Sequence, residues 1–175
     1  MTSNVYLIGP MAVGKTTIGK QLARRLQLEF VDSDQEIEKR TGASISLIFD
    51  IEGESGFRDR EEQMIAELTT MEGIVLATGG GVVLREANRK ALRKNGMVIY
   101  LRASIDSQLE RTRSSRHRPL LETGDRRAAL ESLMDTRDPL YRQEADIIID
   151  TDNLSAGRAA RQISRKIQNH KTCIP

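Results

Sequence analysis

The stretch of the chain that decides the fold is Val5-Tyr6-Leu7-Ile8-Gly9-Pro10-Met11-Ala12-Val13-Gly14-Lys15-Thr16-Thr17. It begins with a short apolar run of the kind found in strands that are buried on both faces. From Gly9 onwards it matches the pattern G-x-x-x-x-G-K-[ST], and apolar residues then recur at helical spacing at Ile18, Leu22 and Leu26. A strand, a glycine-rich loop and an amphipathic helix in this order predict a loop that binds phosphate groups.

The residue types in this loop explain the prediction. Gly9 and Gly14 allow the backbone to curl so that its N–H groups point at phosphate oxygens, and the following helix adds its positive end. Lys15 supplies a charge for the β- and γ-phosphates of a nucleotide, and Thr16 supplies a hydroxyl for Mg²⁺. The alternative, a strand-to-helix turn that binds nothing, is disfavoured by the complete match in this context. The predicted nucleotide-binding residues of the loop are Gly9, Ala12, Val13, Gly14, Lys15, Thr16 and Thr17.

Composition excludes several other classes of protein. The chain has 175 residues and a formal charge of +2, which does not suggest a nucleic-acid binder. It has three phenylalanines, three tyrosines and no tryptophan, too few for platforms on which bases stack. A single cysteine cannot form an internal disulfide, and no apolar run is long enough to span a membrane. These observations predict a cytoplasmic protein that binds neither nucleic acid nor a membrane. Since the sequence contains no heptad pattern that requires a partner helix, we also expect a monomer.

Short apolar runs alternate with longer segments that are suited to crossover helices. This alternation predicts an α/β fold of three layers around a five-stranded parallel sheet. Ligands in such folds bind beyond the carboxyl ends of the strands. The five predicted strands are Val5–Ile8, Leu28–Val31, Ile74–Ala77, Met97–Leu101 and Ile147–Ile149.

Two segments do not fit a simple crossover. Residues 33–72 have helical patterns only, with Ser44 as a predicted N-cap, and are expected to form a small lobe over the sheet. Residues 113–127 carry five arginines and Gly124 among few apolar residues, which is typical of a mobile lid. The whole chain, 1–175, is therefore predicted as one domain with these two subregions.

An acidic pair follows the second predicted strand. If the extended backbone continues, Asp32 and Asp34 project from the same face. One carboxylate can then help to hold hydrated Mg²⁺, while the other takes the proton of an attacking hydroxyl. The alternative is helix capping by Ser33 or Asp34. Both interpretations can hold at once, because a cap occupies only one of these side chains.

Three further features each have two interpretations. Arg58 and Glu61 are i, i+3 neighbours, which either fix a guanidinium for a substrate carboxylate or form a solvated surface pair. The glycines at 79–81 either admit a ligand close to bare N–H groups or form a turn with positive φ. Arg137, taken from the residues alone, is predicted to lie on the surface.

The motifs together resemble those of the shikimate kinase family. They are, in order, Gly9–Thr17, Phe30–Asp34, Gly53–Glu61, Gly79–Gly81, Arg118–Leu121 and Arg137–Tyr141. The resemblance extends from about Val5 to Ile167. It implies a P-loop kinase fold like that of nucleoside monophosphate kinases, with a core, a lid and a shikimate-binding lobe. It also implies transfer of the γ-phosphoryl group of ATP to the 3-hydroxyl of shikimate, with Mg²⁺, on the pathway to chorismate and the aromatic amino acids.

The resemblance implies three catalytic residues and two metal ligands. Lys15 and Arg118 neutralise the charge on the γ-phosphate oxygens, and Asp34 takes the hydroxyl proton. Thr16 and Asp32 hold Mg²⁺. The placement of Arg118 on a mobile loop would couple lid closure to the exclusion of water.

Other implied roles concern the two substrates. Arg58 and Arg137 bind the shikimate carboxylate, with Glu61 orienting Arg58, and Phe57 packs against the ring. Arg111 stacks on adenine, and Arg116 is a second candidate for the role of Arg118. The segment 150–153 is similar to the adenine loop of the family. The implied substrate-binding residues are Asp34, Phe57, Arg58, Glu61, Gly79, Gly80, Gly81 and Arg137.

Two other functions compete with this one. The first is a kinase for another small polyol acid, such as gluconate, whose carboxylate would suit the same arginines. The second is a regulatory module that binds ATP only as a conformational switch, which would leave the acidic pair and the Arg58–Glu61 pair without a task.

Overall fold

The sheet of the protein has the architecture that the apolar runs predict. The computed structural model describes residues 4–113 and 125–172. Its strands are β1 (Asn4–Ile8), β2 (Glu29–Asp32), β3 (Ile74–Ala77), β4 (Gly96–Arg102) and β5 (Ile147–Asp150). All strand pairs are parallel, and the order across the sheet is β2-β3-β1-β4-β5. The prediction of a five-stranded parallel sheet is confirmed.

Helices cover both faces of the sheet. They are α1 (Lys15–Leu26), α2 (Ser33–Thr41), α3 (Ile45–Leu68), α4 (Glu86–Asn95), α5 (Ile105–Thr112), α6 (Arg126–Glu144) and α7 (Ala156–Thr172), and a 3₁₀ turn spans Val82–Leu84. Alternate residues of β1 point to opposite faces. Val5 and Leu7 pack with α1 and α7, while Tyr6 and Ile8 pack with α3, α4 and α6. Two apolar cores, one on each face, therefore make the three predicted layers.

Helix α1 lies close against the sheet. Ile18 and Leu22 of the predicted apolar stripe are buried, and Leu26 packs at the edge of the same core. A Cβ at Gly19 would lie 2.6 Å from a ring atom of Phe30 in β2. This close approach brings the phosphate loop, which precedes α1, next to the carboxyl end of β2.

The segment 33–72 is helical, as predicted. Helices α2 and α3 occupy most of it, and the Ser44 side chain caps α3 by accepting a hydrogen bond from the N–H of Leu47 at 3.2 Å. Gly53 interrupts α3 with φ of 69°, so the helix is kinked there. Beyond the kink, α3 packs into the core through residues such as Phe57 and Met64.

The predicted lid, residues 113–127, lies mostly outside the described residues. Its last part does not belong to a loop, because the Asp125 side chain caps α6, which begins at Arg126. The candidates Arg116 and Arg118 and the single cysteine, Cys173, are outside the described ranges. Within those ranges, none of the helices has the length and apolar character needed to cross a membrane.

Candidate active site

The phosphate loop joins β1 to α1. Gly9 has φ of 143°, and a Cβ there would lie 2.2 Å from the carbonyl oxygen of Leu101 in β4. Gly14 has φ of 90° and forms the N-cap of α1. Gly9 must be glycine because of its positive φ and this close approach, and Gly14 must be glycine because of its positive φ. The side chain of Val13 is buried in the core, so a nucleotide could meet only the backbone of that residue.

Lys15 folds back across this loop. Its ammonium donates hydrogen bonds to the carbonyl oxygens of Gly9 at 2.7 Å and Pro10 at 2.6 Å. Lys15, Thr16 and Thr17 all line one cavity at the carboxyl edge of the sheet. The cation is thereby held beside the amides of the loop, where the sequence predicts the β- and γ-phosphates.

The acidic pair has a different local structure from either sequence prediction. The strand ends at Asp32, and Asp34 lies in the first turn of α2, so the expected extended backbone is wrong. The cap is neither Ser33 nor Asp34 but Asp32, whose Oδ1 accepts from the N–H groups of Asp34 at 3.1 Å and Gln35 at 3.3 Å. Its Oδ2 accepts from the hydroxyl of Thr16 at 2.7 Å. Asp32 thus ties α2 to the phosphate loop.

Asp34 lines the cavity, and its environment favours the protonated carboxyl. Its Oδ1 is buried and has no hydrogen-bond partner among the described residues. Burial, together with the nearby negative charges of Glu61 and Asp32, raises the pKa of Asp34 to about 7. The positive charges of Lys15 and Arg58 act in the opposite direction and lower it. A carboxylate with a pKa near neutrality is well matched to accept a proton from a hydroxyl.

This raised pKa predicts a stability effect in the protein without metal or nucleotide. The native state keeps the Asp34 proton up to about pH 7, whereas the unfolded chain releases it near the ordinary aspartate pKa of 3.8. The contribution of Asp34 to the free energy of unfolding therefore falls as the pH rises from about 4 to 7 and stays lowered above that range. We expect Asp34→Asn to recover roughly 2 kcal/mol at pH 8, about half of the full shift, because burying the amide of asparagine also costs free energy.

Thermal melts in EDTA at pH 5 and pH 8 measure this effect. The difference in Tm between Asp34→Asn and the wild type should be larger at pH 8. Asp50→Asn, which changes an exposed carboxylate on α3, is the control and should show no such pH dependence. Equal differences at the two pH values would contradict the raised pKa.

Arg58 and Glu61 form a buried ion pair on α3. Their side chains meet at 2.7 Å between Nη1 and Oε2, and the two residues are 7% and 0% exposed. The carboxylate of Glu54 accepts from the Nε and Nη2 atoms of Arg58 at 3.4 and 3.2 Å. The interpretation as a solvated surface pair is therefore wrong. The guanidinium has a fixed position in the wall of the cavity.

The three glycines after β3 do not have the positive φ of the turn interpretation. Close approach explains their presence instead. A Cβ at Gly79 would lie 2.8 Å from Oε1 of Glu61 and 2.9 Å from Oδ1 of Asp34. A Cβ at Gly81 would lie 2.2 to 2.3 Å from three atoms of the Arg58 guanidinium. The charged groups of the site pack directly on bare backbone here.

Gly81→Ala is expected to weaken the binding of shikimate, the acceptor that the resemblance implies, because the new methyl group must displace the guanidinium of Arg58. The loss of charge-assisted hydrogen bonds predicts a rise in the KM for shikimate of at least about tenfold. Steady-state kinetics with each substrate varied measures this rise. The KM for ATP in the same variant serves as the internal control and should stay unchanged. A Gly81→Ala enzyme with a normal KM for shikimate would contradict this prediction, because it would show that the Arg58 guanidinium can shift without weakening shikimate binding.

Arg137 lies in the same cavity, not on the surface. It is 5% exposed, and its Nη1 would be 3.5 Å from a Cβ placed on Gly80. Helix α6 brings it there, so the surface prediction made from the residues alone is wrong. Only the family motif at 137–141 gave a signal for this residue.

Arg111 connects the phosphate loop to the segment after β5. Its guanidinium donates to the carbonyl oxygens of Ala12 and Thr151, each at 3.2 Å. Asp152 of the same segment accepts from the N–H of Ser104 at 3.1 Å. The two parts that the resemblance assigns to adenine binding are therefore neighbours of the loop.

One cavity of about 700 Å³ brings most of the predicted site residues together, but Gly9, Val13 and Arg111 are not part of its lining. The sequence missed the apolar part of its lining, formed by Ile45 and Phe49 of α3, since both fit the core-facing stripe of an amphipathic helix. The rings of Phe49 and Phe57 lie 4.8 Å apart between centroids. The predicted residues that line the cavity are Ala12, Gly14, Lys15, Thr16, Thr17, Asp32, Asp34, Phe57, Arg58, Glu61, Gly79, Gly80, Gly81 and Arg137.

The phosphate loop, the acidic pair and the buried arginines around one cavity define a P-loop kinase that acts on a small anionic molecule. The family model described as shikimate kinase matches residues 11–168. The chain belongs to the shikimate kinase family. It is therefore an enzyme that phosphorylates shikimate with ATP as the donor, as the resemblance implied.

Curated relatives and solved structures agree with this assignment. A shikimate kinase of Thioalkalivibrio sulfidiphilus is 56% identical over 99% of this chain and 92% of its own length. One of Pseudomonas putida is 54% identical over 94% of this chain and 96% of its own. The structure of shikimate kinase from Acinetobacter baumannii in complex with shikimate has a TM-score of 0.96 and 45% identity, and it covers 98% of this chain and 96% of that one. The predicted fold of the nucleoside monophosphate kinase type is confirmed.

A more distant neighbour bears on the competing kinase function. A gluconokinase from Sinorhizobium meliloti has a TM-score of 0.62 and 15% identity over 97% of this chain and 96% of that one. Identity this low shows a shared fold alone. It gives no support to gluconate as the substrate of this chain.

Proposed function

We propose that the enzyme transfers the γ-phosphoryl group of ATP to the 3-hydroxyl of shikimate, with Asp34 as the base. The observation that carries this proposal is the position of Asp34 in the cavity. It shares the wall with Lys15 at the phosphate loop and with Arg58 and Arg137 at the other substrate site. A donor phosphate and an acceptor alcohol bound by these groups would meet at Asp34.

The acceptor site is suited to a cyclic acid. Arg58 and Arg137 offer two buried guanidinium groups, which bind carboxylates through paired charge-assisted hydrogen bonds. The aromatic rings of Phe49 and Phe57 give the cavity an apolar wall for the ring of the substrate. The segment 33–72 would therefore act as the shikimate-binding lobe.

The donor site is suited to a triphosphate. Backbone N–H groups of the loop and the ammonium of Lys15 would hold the phosphates, and Arg111 would cover the adenine ring. The oxygen of the 3-hydroxyl forms a bond to the γ-phosphorus while the bond from that phosphorus to the β–γ bridging oxygen breaks. The hydroxyl proton passes to Asp34, and ADP leaves.

Thr16 and Asp32 fit a Mg²⁺ ion. Their hydroxyl and carboxylate oxygens lie 2.7 Å apart beside the phosphate loop, and both are hard oxygen donors of the kind that Mg²⁺ prefers. Among residues 4–113 and 125–172, no group of three His, Cys, Asp or Glu side chains could hold a metal by itself. Such a site suits an ion that takes its remaining ligands from water and phosphate oxygens. When bound, Mg²⁺ neutralises charge on the phosphates.

The remaining predictions concern the lid, the oligomeric state and the cellular location of the enzyme. Arg118, with Arg116 as the second candidate, is proposed to add a cation to the γ-phosphate when the part of the predicted lid that precedes α6 closes. We further propose a monomer that works in the cytoplasm without binding nucleic acid or membranes. The single cysteine and the near-neutral charge support that setting.

A coupled assay of ADP release, run with shikimate, gluconate and a panel of other polyol acids, tests the function. We expect release that depends on shikimate and on no other acceptor, with ³¹P NMR of the product showing the 3-phosphate. ATP binding without any phosphorylated product would instead favour the switch module. Turnover of gluconate in place of shikimate would favour the competing kinase.

A further inference from the structure

Tyr141 ends the motif at 137–141, and the proposed mechanism leaves it without a role. We propose that Tyr141 is a positioning residue for shikimate, because its hydroxyl anchors the Gly80 backbone and the side chain of Arg137. This inference rests on the proposed function, since it concerns the acceptor half of the same site.

The first support is the set of contacts made by the phenol. Tyr141 is 0% exposed, and its hydroxyl donates a hydrogen bond to the carbonyl oxygen of Gly80. Arg137 lies one helical turn earlier on the same face of α6, and its guanidinium interacts with the same phenol. Burial raises the pKa of Tyr141, so the hydroxyl keeps its proton as a donor. One hydroxyl therefore bonds to the Gly80 backbone and lies within range of electrostatic interaction with the Arg137 guanidinium.

The second support is the position of Gly80. A Cβ there would lie 3.5 Å from Nη1 of Arg137, 3.6 Å from the backbone nitrogen of Met11 and 3.7 Å from the carbonyl oxygen of Gly9. Gly80 thus lies between the phosphate loop and the acceptor site. Because the peptide unit is planar, a fixed Gly80 carbonyl also fixes the direction of the Gly81 N–H. Consecutive glycines have no side chains to restrain them, so a hydrogen bond from outside the segment restricts their backbone.

The third support is that stacking on a second buried ring holds the Tyr141 ring in place. The Tyr141 ring stacks on the ring of Tyr100 in β4, with centroids 4.9 Å apart and planes inclined by 29°. Tyr100 is equally buried, but its hydroxyl donates to the Asp138 carboxylate at 2.7 Å rather than to the glycines. The chain therefore contains a matched pair of stacked, buried tyrosines, and only one of them touches the acceptor site.

Phenylalanine variants of this pair separate positioning from packing. Tyr141→Phe is expected to raise the KM and the calorimetric Kd for shikimate about tenfold, the cost of one lost buried hydrogen bond. The KM for ATP should stay within about twofold, and kcat should fall less than the shikimate KM rises. Tyr100→Phe removes the matched hydroxyl and should leave all three constants within about twofold of the wild type. A folded Tyr141→Phe enzyme with a normal KM for shikimate overturns the proposal, as do equal losses in both variants.

A measurement on the wild type does not depend on how the variants fold. The chain has three tyrosines, so tyrosine labelled with ¹³C at Cζ alone gives one signal each for Tyr6, Tyr100 and Tyr141. Saturation with shikimate in the absence of nucleotide should shift the Tyr141 signal more than the other two. A Tyr141 signal that shikimate leaves in place would reject the proposal. Failure of the proposed function is distinguishable, because it appears as a wild type that does not turn over shikimate.

Discussion

Replacing Asp34 by asparagine is expected to lower kcat by about 10²- to 10⁴-fold, the usual contribution of a positioned general base. The amide has nearly the same shape as the carboxyl but cannot take the proton of the 3-hydroxyl. The affinity for ATP should change little, because the phosphate contacts come from the loop and Lys15. Steady-state kinetics and calorimetric titration with ATP analogues measure the two quantities separately.

The control for Asp34→Asn is Asp50→Asn, which neutralises an exposed carboxylate of the same lobe. It should retain wild-type kinetics. The Asp34 variant is also expected to be the more stable protein at pH 8, so lost turnover could not be blamed on unfolding. Normal turnover in Asp34→Asn would remove this residue from its role as the base.

Replacing Lys15 by methionine is expected to damage both binding and catalysis. Methionine keeps the apolar stem but removes the charge that lies beside the amides of the phosphate loop. The Kd for ATP should rise about 10- to 100-fold, as expected for a lost hydrogen bond to a charged group. In addition, kcat should fall by about 10²- to 10³-fold, because the cation also stabilises charge that develops on the γ-phosphate oxygens. The KM for shikimate should change less than the Kd for ATP.

Lys20→Met provides the matched control on the same helix. Lys20 is exposed on α1, and its ammonium lies 5.8 Å from the centroid of the Phe30 ring, away from the cavity. It should leave the Kd for ATP and kcat unchanged. If Lys15→Met bound ATP as tightly as the Lys20 variant, the placement of the phosphates at Lys15 would have to be given up.

Local signals made the scaffold predictable from the sequence. Strands buried on both faces must be apolar along their length, so the run at 74–77 marks β3 directly. The run at 147–149 marks β5 as well, although β5 lies at the edge of the sheet and its Ile148 is exposed. The phosphate loop is encoded in one contiguous stretch, and Ser44 stands alone as a cap before a helical pattern. Each of these features depends on neighbours in the chain.

The wrong predictions concern features whose structure is determined by residues far away in the chain. Three successive residues, Asp32, Ser33 and Asp34, can all cap a helix, and the pairing of β2 with β3 decides which of them ends the strand. The glycine segment could not be interpreted without knowing that charged side chains of α3 pack on it. Arg137 is buried only because α6 brings it to the cavity, which no local pattern records.

The crystal structure of the enzyme with shikimate and ADP tests the central claim most directly. We expect the shikimate carboxylate to pair with both Arg58 and Arg137, and its 3-hydroxyl to lie within hydrogen-bond distance of Asp34. The β-phosphate of ADP should rest in the loop beside Lys15, on the side that faces this hydroxyl. A shikimate molecule bound away from the two arginines, or with its 3-hydroxyl out of reach of Asp34, would contradict the account.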